Sequence, residues 1–584
     1  MKQFSSFRHN RPLVLLLVLL LTNLVARAQG LAWQTALAIG QPSGGVSIRA
    51  TAIDVDGNVY LAGSFRGTVS IGNATLTSAG GSDILLAKWN PASSSYVWVR
   101  QAGGTGNDYC QNVAVNGASV YMVGSFQSIV ASFGTTTLTN STASLANYSD
   151  GFVAKLTDTG TASNFEWAQS TGGDNNNDVT AVGVNGMNVY VTGTFGGSVA
   201  SFGSITVNNA TQGVRPAVDV FVAKLRDAGS TSSWVWAQQA GGGLDDASDA
   251  LAVNGNDLYI AGAFSGRSAG FGGTTLVNVN QATSPLGGTN PSEAFIAKLV
   301  DAGSTGNFVW AQRAGGIGED RAKAIAVSGT NVYVAGSFSG PTADIGATIL
   351  VNGGATDGFV AKIIDAGSTS SISWAQAVSS AGNQDVAALA LRGNSVYVTG
   401  YFESPTVSLG GTVLTSVGLN DIFVAKLSDT GSASSWNWAQ QAGSTGNDGA
   451  YSMVVSGTTV YLTGYVGGGA NFGSLIVNNS SLTSAFLASI ADLTLTATKP
   501  ALRNETVILY PSPAHGTATV QLPPIPGTTM ATLTLLDALG RTLRTQTAAT
   551  SSKTKLDLSD LAPGLYALRV QAGTSIATRR LVVE

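Results

Sequence analysis

The sequence predicts an all-β protein, and three observations lead to this fold class. Glycine contributes 73 of the 584 residues, charged residues only 11% and hydrophobic residues 44%, a composition typical of short strands joined by tight turns. The apolar runs are short and end at turn-forming residues, as strands do. One apolar phrase, VYLAGSF at Val59–Phe65, returns seven times with small changes.

Each repeat carries three phrases. The first surrounds a tyrosine, at Tyr60, Tyr121, Tyr190, Tyr259, Tyr333, Tyr397 and Tyr461. The second, written FVAKL at Phe152–Leu156, follows each copy of the first. The third contains a tryptophan, at Trp33, Trp98, Trp167, Trp236, Trp310, Trp374 and Trp438, and these lie 65, 69, 69, 74, 64 and 64 residues apart. This length accommodates four short strands with turns, and we therefore predict a seven-bladed β-propeller over residues 29–492.

The four strands of one blade can be identified in the sequence of the fifth repeat. Ala322–Val327, Val332–Phe338 and Phe359–Ile363 are the first three strands, and the fourth contains Trp374. The runs are continuously apolar rather than alternating, which is expected where both faces of a sheet are buried. Gly336 lies inside the second strand, where a missing side chain lets another backbone come close.

The ends of the repeat array predict how the ring closes. The Trp33 strand precedes the other strands of the first repeat, whereas the last repeat ends after Phe486–Ile490 with no tryptophan following. We predict that the Trp33 strand is the outer strand of the last blade, which pairs both edges. An open solenoid is the alternative, but it needs capping repeats. The phrases resemble the SBBP family of β-propeller repeats over residues 31–491, a resemblance that implies the fold and no shared chemistry.

The first thirty residues predict export. Three cations precede the apolar run Leu13–Leu21, and the small residues Ala26 and Ala28 follow it. This order is typical of a signal peptide, which we place at residues 1–28 with cleavage before Gln29. Nine apolar residues are too few to span a bilayer as a helix, and no later run is longer, so we expect no transmembrane span.

A different pattern follows the repeats. Residues 493–504 are predicted to be a linker, and residues 505–584, with alternating strands such as Thr517–Leu522, to be a small Ig-like β-sandwich. Three phrases in this module, LYPSPA from Leu509, LDALGR from Leu536 and LSDLAPGLY from Leu558, resemble the type IX secretion sorting domains of Bacteroidetes. An ordinary Ig-like binding module is the alternative.

The resemblance assigns the sorting motif to Tyr510, Pro511, Pro513, Gly540, Gly564 and Tyr566, with Ser512 in place of the family's asparagine. It implies that the type IX secretion machinery recognises residues 505–584. It further implies passage through the outer membrane, so the protein is expected to be secreted or held at the outer-membrane surface.

Missing residue types exclude several kinds of site. The histidines are His9 and His515 and the one cysteine is Cys110, so the predicted propeller contains no histidine. This excludes Ser-His-Asp and Cys-His catalysis and His-ligated metals there, and we expect no cofactor. Cys110 is expected to be a buried apolar residue. A net charge of −4 argues against a nucleic-acid partner.

Charged residues recur in register with the repeats. Acidic residues precede the first strand at Asp108, Asp178, Asp246, Asp320, Asp385 and Asp448, and the third strand at Asp83, Asp150, Asp219, Glu293, Asp357 and Asp421. Lysines occupy one place in the third strand, at Lys88, Lys155, Lys224, Lys298, Lys362 and Lys426, and Ser489 breaks the series. Repetition favours structural roles, as turn caps or Lys–Asp pairs. Both acidic series lie near loops of one face, which is compatible with Ca²⁺; Asp174–Asp178 is the densest oxygen cluster.

Three functions are compatible with the sequence. The first is a secreted or cell-surface protein that binds an extracellular glycan or protein. The second is a glycoside hydrolase that uses carboxyl groups alone, which an unrepeated acid pair near the axis would favour. The third is a structural surface protein. Longer connections between strands two and three in repeats two to four predict binding contacts at Asn147, Tyr148, Arg215 and Gln281.

Overall fold

The computed structural model describes most of the chain after the predicted signal peptide. The described residues are 31–40, 45–142, 148–211, 217–280, 291–403, 405–478, 483–493, 507–522, 530–537, 541–550, 552–572 and 575–584. Residues 1–28, and the predicted linker apart from residue 493, lie outside these ranges. All regular elements within them are β-strands, so the all-β prediction is confirmed and no described helix could cross a bilayer.

The chain divides into two compact units, with the boundary after Asp492. The first contains seven antiparallel sheets, numbered here in chain order; each has four main strands, and in sheets 2, 3 and 4 a hairpin of the next repeat adds two more. Sheet 1 consists of β2 (Val46–Ile53), β3 (Val59–Ile71), β4 (Ala74–Asn90) and β5 (Ser95–Ala102); sheet 2 of β6 (Asp108–Asn116), β7 (Ser119–Phe126), β10 (Asp150–Asp158) and β11 (Ser163–Gly173); sheet 3 of β12 (Asn177–Asn185), β13 (Asn188–Phe195), β16 (Asp219–Asp227) and β17 (Ser232–Gly242).

The other four sheets follow the same plan. Sheet 4 consists of β18 (Asp246–Asn254), β19 (Asp257–Phe264), β22 (Glu293–Asp301) and β23 (Gly306–Gly316); sheet 5 of β24 (Asp320–Ser328), β25 (Asn331–Phe338), β28 (Asp357–Asp365) and β29 (Ser370–Val378); sheet 6 of β30 (Gln384–Arg392), β31 (Ser395–Phe402), β34 (Asp421–Asp429) and β35 (Ser434–Ala442); sheet 7 of β36 (Gly449–Ser456), β37 (Thr459–Val466), β40 (Ser484–Ala491) and β1 (Trp33–Ile39).

Sheet 7 combines the two ends of the repeat array. Its fourth strand is β1, which pairs antiparallel with β40, from Trp33 opposite Ile490 to Ile39 opposite Ala485. The prediction that the Trp33 strand pairs with the last repeat is therefore confirmed. Because β1 precedes sheet 1 in the chain, this pairing joins the first and last repeats.

The first strands of the seven sheets contact one another in cyclic order. Each packs against the first strands of the sheets before and after it, and β2 contacts both β6 and β36. At this last junction the Thr51 N–H donates to Ser452 Oγ at 3.0 Å. Apolar clusters fill the spaces between sheets; the one between sheets 7 and 1 includes Ile39, Leu487 and Ile48. Burial of both faces explains the continuously apolar strands.

A β-bulge interrupts the pairing of the first two strands in every sheet. In sheet 5 the register shifts between Ala322 and Ala324, so Lys323 has no partner on β25. Near the bulge, a Cβ added to Gly336 would lie 1.9 Å from the carbonyl oxygen of Arg321. The predicted close approach at Gly336 is confirmed, since only glycine leaves room for that oxygen.

Hairpins fill the connections between the second and third strands, which the sequence analysis treated as loops. They are β8 (Val130–Phe133) with β9 (Thr136–Thr139), β14 (Val199–Phe202) with β15 (Ile205–Asn208), β20 (Ser268–Phe271) with β21 (Thr274–Val277), β26 (Thr342–Ile345) with β27 (Thr348–Val351), β32 (Thr406–Leu409) with β33 (Thr412–Thr415), and β38 (Ala470–Phe472) with β39 (Leu475–Val477). In sheet 1 the extended ends of β3 and β4 replace the hairpin. Four strands per repeat was thus an incomplete prediction.

The second unit consists of two antiparallel sheets around one apolar core. One contains β41 (Ile508–Tyr510), β42 (Thr517–Gln521) and β45 (Lys553–Asp557). The other contains β43 (Met530–Leu536), β44 (Thr542–Ala549), β46 (Gly564–Ala572) and β47 (Ser575–Val583). Alternate residues of β43, namely Ala531, Leu533 and Leu535, are buried in that core.

Deletion of residues 29–40 tests the joining of first and last repeats. Removing β1 leaves the edge of β40 unpaired, so we expect a lower melting temperature and aggregation. Thermal unfolding with light scattering measures both effects. Gln34→Ala, which alters an exposed side chain and keeps the pairing, is the control. A deletion variant that melts like the parent protein would contradict the pairing.

Candidate functional site

The bulged residues of the seven first strands line one cavity of about 470 Å³. We call them the bulge ring: Arg49, Gln111, Thr180, Asp249, Lys323, Ala387 and Tyr451. No two are alike, although the next residue along the chain is alanine in five of the seven strands. A bulge turns its side chain away from the ladder. The repeat therefore varies at the position that faces the cavity.

Ion pairs organise the charges of this central cavity. The Arg321 guanidinium donates two hydrogen bonds to the Asp249 carboxylate, each at 2.6 Å. Lys323 Nζ lies 2.7 Å from Asp385 Oδ2. The Arg49 guanidinium lies 4.5 Å from the ring centroid of Tyr451, a cation–π contact between sheets 1 and 7.

Apolar side chains complete the central cavity. Leu251, Ile325, Leu389 and Met453 lie further along the first strands of sheets 4 to 7. The cavity thus combines a polar ring with an apolar section. Such a combination is typical of small-molecule sites, where a few polar groups fix the orientation of a ligand.

Two further cavities lie where the first strands begin, and both share residues with the central cavity. The basic cavity, of about 290 Å³, is lined by Ser47, Arg49, Ser64, Arg66, Ser82, Tyr109 and Gln111 together with Gly45, Val46, Phe65 and Cys110. The acidic cavity, of about 460 Å³, includes Asp178, Asp245, Asp246, Asp249 and Glu319. Sheets 1 and 2 thus give this end of the central cavity a basic side, and sheets 3 to 5 an acidic side.

The predicted binding contacts are only partly visible. Asn147, Arg215 and Gln281 lie outside the described residues. Tyr148 is half-buried, and its carbonyl oxygen accepts a hydrogen bond from Asn140 Nδ2 at 3.0 Å. The segments that follow Arg215 and Gln281 in the chain reach the acidic cavity, since Val218 and Ser292 line it.

The first acidic series contains two errors. Asp108, Asp246 and Asp320 lie opposite the last phenylalanine of the second strand, for example Phe264 for Asp246. In sheets 3 and 6 this place belongs to Asn177 and Gln384, not to Asp178 and Asp385. Because side chains alternate along a strand, this offset sends the two acids to the opposite face. Asp178 lines the acidic cavity and Asp385 the central cavity, so the prediction that all six acids of the first series occupy one equivalent place is wrong.

The remaining carboxylates of the first series are buried against the segment before the first strand. Asp108 Oδ2 accepts hydrogen bonds from the Gly104 N–H and from Ser128 Oγ, both at 2.7 Å, and Asp448 Oδ2 accepts one from the Ser444 N–H. Such contacts hold a turn. Burial, with a contribution from nearby carboxylates, raises the pKa of Asp246 to about 8.

The second acidic series is also buried and holds the connections between the second and third strands. Asp150 Oδ2 accepts a hydrogen bond from the Ser141 N–H at 2.6 Å, and Asp357 Oδ2 one from the Gly353 N–H at 2.8 Å. Both series thus hold turns. No three described His, Cys, Asp or Glu side chains are grouped closely enough to hold a metal ion. Within the Asp174–Asp178 cluster, Asp174 accepts the Ser198 N–H at 2.9 Å.

The lysine series pairs with a third acidic series that the sequence analysis missed. The pairs are Lys88–Asp158, Lys155–Asp227, Lys224–Asp301, Lys298–Asp365, Lys362–Asp429 and Lys426–Asp492, with N–O distances of 2.5 to 2.9 Å. Each aspartate ends or directly follows the third strand of the next sheet. Its signal was present in the sequence: in six of the seven repeats an aspartate follows the FVAKL phrase two residues later, as in KLVD at Lys298–Asp301.

Asp301 illustrates how these aspartates are held. It accepts hydrogen bonds from Lys224 Nζ at 2.5 Å, Tyr190 Oη at 2.7 Å and Trp236 Nε1 at 3.0 Å, all from the preceding sheet. Burial opposes ionisation, but the hydrogen bonds of Lys224, Tyr190 and Trp236 outweigh it and lower the pKa of Asp301. The carboxylate therefore joins the three repeated phrases of one sheet to the next sheet.

The junction of sheets 7 and 1 lacks this arrangement. Ser489 stands in place of the lysine, and Pro91, three residues after Lys88, in place of the aspartate. Trp33 Nε1 is buried without a hydrogen-bond partner among the described residues.

Cys110, at the junction of sheets 1 and 2, is buried as predicted, and burial raises the pKa of its thiol to about 12.

Residues 508–584 match the family described as a secretion system C-terminal sorting domain. The resemblance of this module to type IX sorting domains is confirmed. The sorting domain indicates export by type IX secretion to the cell surface or the outside, through an interaction with the secretion machinery. No curated protein matches the sequence.

The sorting motif occupies strand ends in the second unit. Tyr510 ends β41 and is exposed, and Pro511 and Pro513 follow it. Gly564 begins β46, and Tyr566 Oη donates a hydrogen bond to the Ala562 carbonyl oxygen at 2.8 Å. Gly540 lies outside the described residues.

Asp301→Asn should destabilise the protein by about 3 kcal/mol, because it leaves the buried Lys224 without a counter-charge. The double variant Lys224→Ser with Asp301→Asn removes both charges and places at residue 224 the serine that the last repeat carries there, Ser489. We expect the double variant to lose less stability than Asp301→Asn alone in denaturant unfolding. Equal losses, or a larger one for the double variant, would mean that the ion pair does not couple the two sheets.

Asp246 should make stability depend on pH. Its pKa of about 8 in the folded protein exceeds the ordinary value of 3.8, so the folded state holds the proton more tightly. Its contribution to stability is greatest below about pH 4 and declines as the pH rises towards 8. Asp246→Asn, which copies Asn177 of sheet 3, should lose less stability over that interval, by on the order of 2 kcal/mol. Unfolding curves at both ends measure this, with the exposed Asp56→Asn as control; parallel curves for parent and Asp246→Asn would contradict the assignment.

Proposed function

We propose that residues 29–492 form a seven-bladed β-propeller that binds an extracellular glycan or protein. The cyclic contacts of the seven first strands and the pairing of β1 with β40 support this architecture. The phrases shared with SBBP-type repeats support it independently. Export by the sorting domain takes the protein to the cell surface or beyond, where such a ligand is available.

The bulge ring carries the proposal of binding. A side chain that served the repeat alone would be the same in all seven sheets, as the buried tyrosines of the second strands are. The bulge ring instead presents seven different side chains to one cavity. An asymmetric set of charged, polar and aromatic groups suits one asymmetric ligand, because each group meets a different part of it.

The connections of repeats two to four belong to the same proposal. The segments at Val218 and Ser292 border the acidic cavity, which meets the central cavity at Thr180, Asp249 and Arg321. A ligand in the central cavity would extend from there towards the predicted contacts Asn147, Tyr148, Arg215 and Gln281.

A glycoside hydrolase is the second candidate. Asp249 and Asp385 are two acids that line the central cavity. Hydrolysis needs two carboxyl groups beside the scissile bond, one of which donates a proton. Asp249 and Asp385 are instead engaged with Arg321 and Lys323, an arrangement that favours binding over catalysis.

A glycan and peptide screen with the full secreted protein tests the proposal. For the ligand that it identifies, we expect Tyr451→Ala to lower affinity at least about tenfold, which is about 1.4 kcal/mol. The melting temperature should stay near that of the parent. Ile349→Ala, an exposed change on the hairpin β26–β27, is the control and should bind normally.

Two results would overturn the proposal. Affinity unchanged in Tyr451→Ala and in Lys323→Ala would place the binding site outside the central cavity. Release of reducing sugar from a glycan substrate, abolished in both Asp249→Asn and Asp385→Asn, would establish the hydrolase instead.

A further inference from the structure

Two arginines of sheet 1 are cations without an ion pair at the end of the central cavity where the first strands begin. Arg321 and Lys323 are paired with carboxylates, whereas Arg49 and Arg66 form no ion pair within the described part of the chain. Both side chains are exposed, and both line the basic cavity. The described wall of that cavity contains no carboxylate. Two like charges in one cavity attract an anion.

The remaining polar groups of the basic cavity are hydrogen-bond donors suited to the same ligand. Ser47, Ser64 and Ser82 supply hydroxyl groups, Tyr109 a phenol and Gln111 an amide. Guanidinium groups bind carboxylate or sulfate oxygens through paired, charge-assisted hydrogen bonds. Hydroxyl and amide groups around them can hydrogen-bond the hydroxyl groups of a saccharide.

The opposite wall limits the charge density of the ligand. Asp178, Asp245 and Glu319 line the acidic cavity and carry no ion pair among the described residues. A densely charged polyanion that crossed this end of the central cavity would be repelled by them. A saccharide with isolated acidic groups would place its anion near sheet 1 and its hydroxyl groups near the carboxylates, which accept hydrogen bonds.

An exposed tyrosine in the basic cavity favours a saccharide over a peptide. Tyr109 lines the basic cavity together with Arg66. Its ring offers an apolar face to a sugar ring, and its hydroxyl group can form hydrogen bonds. The basic cavity has no large exposed aliphatic side chain, which a peptide side chain would need.

We propose that Arg49 and Arg66 bind the carboxylate or sulfate group of an acidic saccharide in the basic cavity, with neighbouring sugar units in the central cavity. This inference rests on the proposed binding function and specifies the ligand chemistry. The volume of about 290 Å³ accommodates one charged sugar unit, and the shared residues Arg49 and Gln111 connect it to the larger cavity.

Calorimetry with the full secreted protein and four saccharide probes tests the inference. The probes are oligogalacturonate, its methyl ester, a sulfated galactan oligosaccharide and an uncharged galactan oligosaccharide. We expect oligogalacturonate or the sulfated probe to bind, and the two uncharged probes to bind at least about tenfold more weakly. The stronger acidic probe identifies the preferred anion. Its affinity should also fall as salt is added, because salt screens exposed charges.

Arginine variants locate the anion. Arg49→Ala and Arg66→Gln should each lower the affinity of the acidic probe at least about tenfold, with parental melting temperatures. Arg66→Gln removes only an exposed charge, so it remains informative if Arg49→Ala unfolds. Arg226→Ala, an exposed change on β16 that lines none of the three cavities, should bind like the parent.

The outcomes separate this inference from the function on which it rests. If an uncharged saccharide or a peptide binds, loses affinity in Tyr451→Ala and is unaffected by Arg49→Ala and Arg66→Gln, the binding function stands and the inference is overturned. Equal affinity of the acidic probe for parent and both arginine variants overturns the inference as well. If neither a saccharide nor a peptide binds, both fail.

Discussion

The buried aspartate between successive sheets is the contact on which the regular arrangement of the first unit depends. It receives a lysine and a tyrosine from the preceding sheet, and in five of the six junctions a tryptophan. Two sheets that pack through apolar faces alone could slide against each other at little cost, because the hydrophobic effect is not directional. A buried ion pair penalises every register in which it is broken, since an unpaired buried charge is costly. The repeated phrases therefore set the position of each sheet as well as its strands.

The junction without this contact is the one that contains the two ends of the repeat array. With Ser489 and Pro91 at the two places, both charges are missing there, and β1 pairs through its backbone with β40. Thr51 and Ser452 add hydrogen bonds between the first strands, and Arg49 stacks on Tyr451. At this junction the buried ion pair is thus replaced by backbone hydrogen bonds between β1 and β40 and by a few side-chain contacts. The same junction also contributes Arg49 and Tyr451 to the central cavity, so the contact between the first and last repeats and the candidate site share residues.

Much of the fold could be predicted from the sequence because it is repeated. The strand phrases, the role of the Trp33 strand and the glycine inside the second strand are all matters of period and spacing. The hairpins were missed although the turn of each is marked by an apolar residue followed by a glycine, such as Phe133-Gly134, and the Gly134 φ of 63° suits a tight hairpin turn. Asp178 and Asp385 were misplaced by one residue, which in a strand reverses the face. The bulge ring could not be predicted from the repeats, because a repeat pattern identifies residues that recur and this position is occupied by residues that do not.

The bulge ring has a consequence for how such a protein can change. A bulged residue is not paired with the neighbouring strand, so its replacement leaves the ladder of its sheet intact. The seven positions are also on separate sheets, each held by its own junction contacts. Substitutions at them can therefore accumulate one by one with little cost to folding. The repeated residues maintain the sheets while the bulge ring varies, which makes this ring a natural starting point for directed evolution of new specificities.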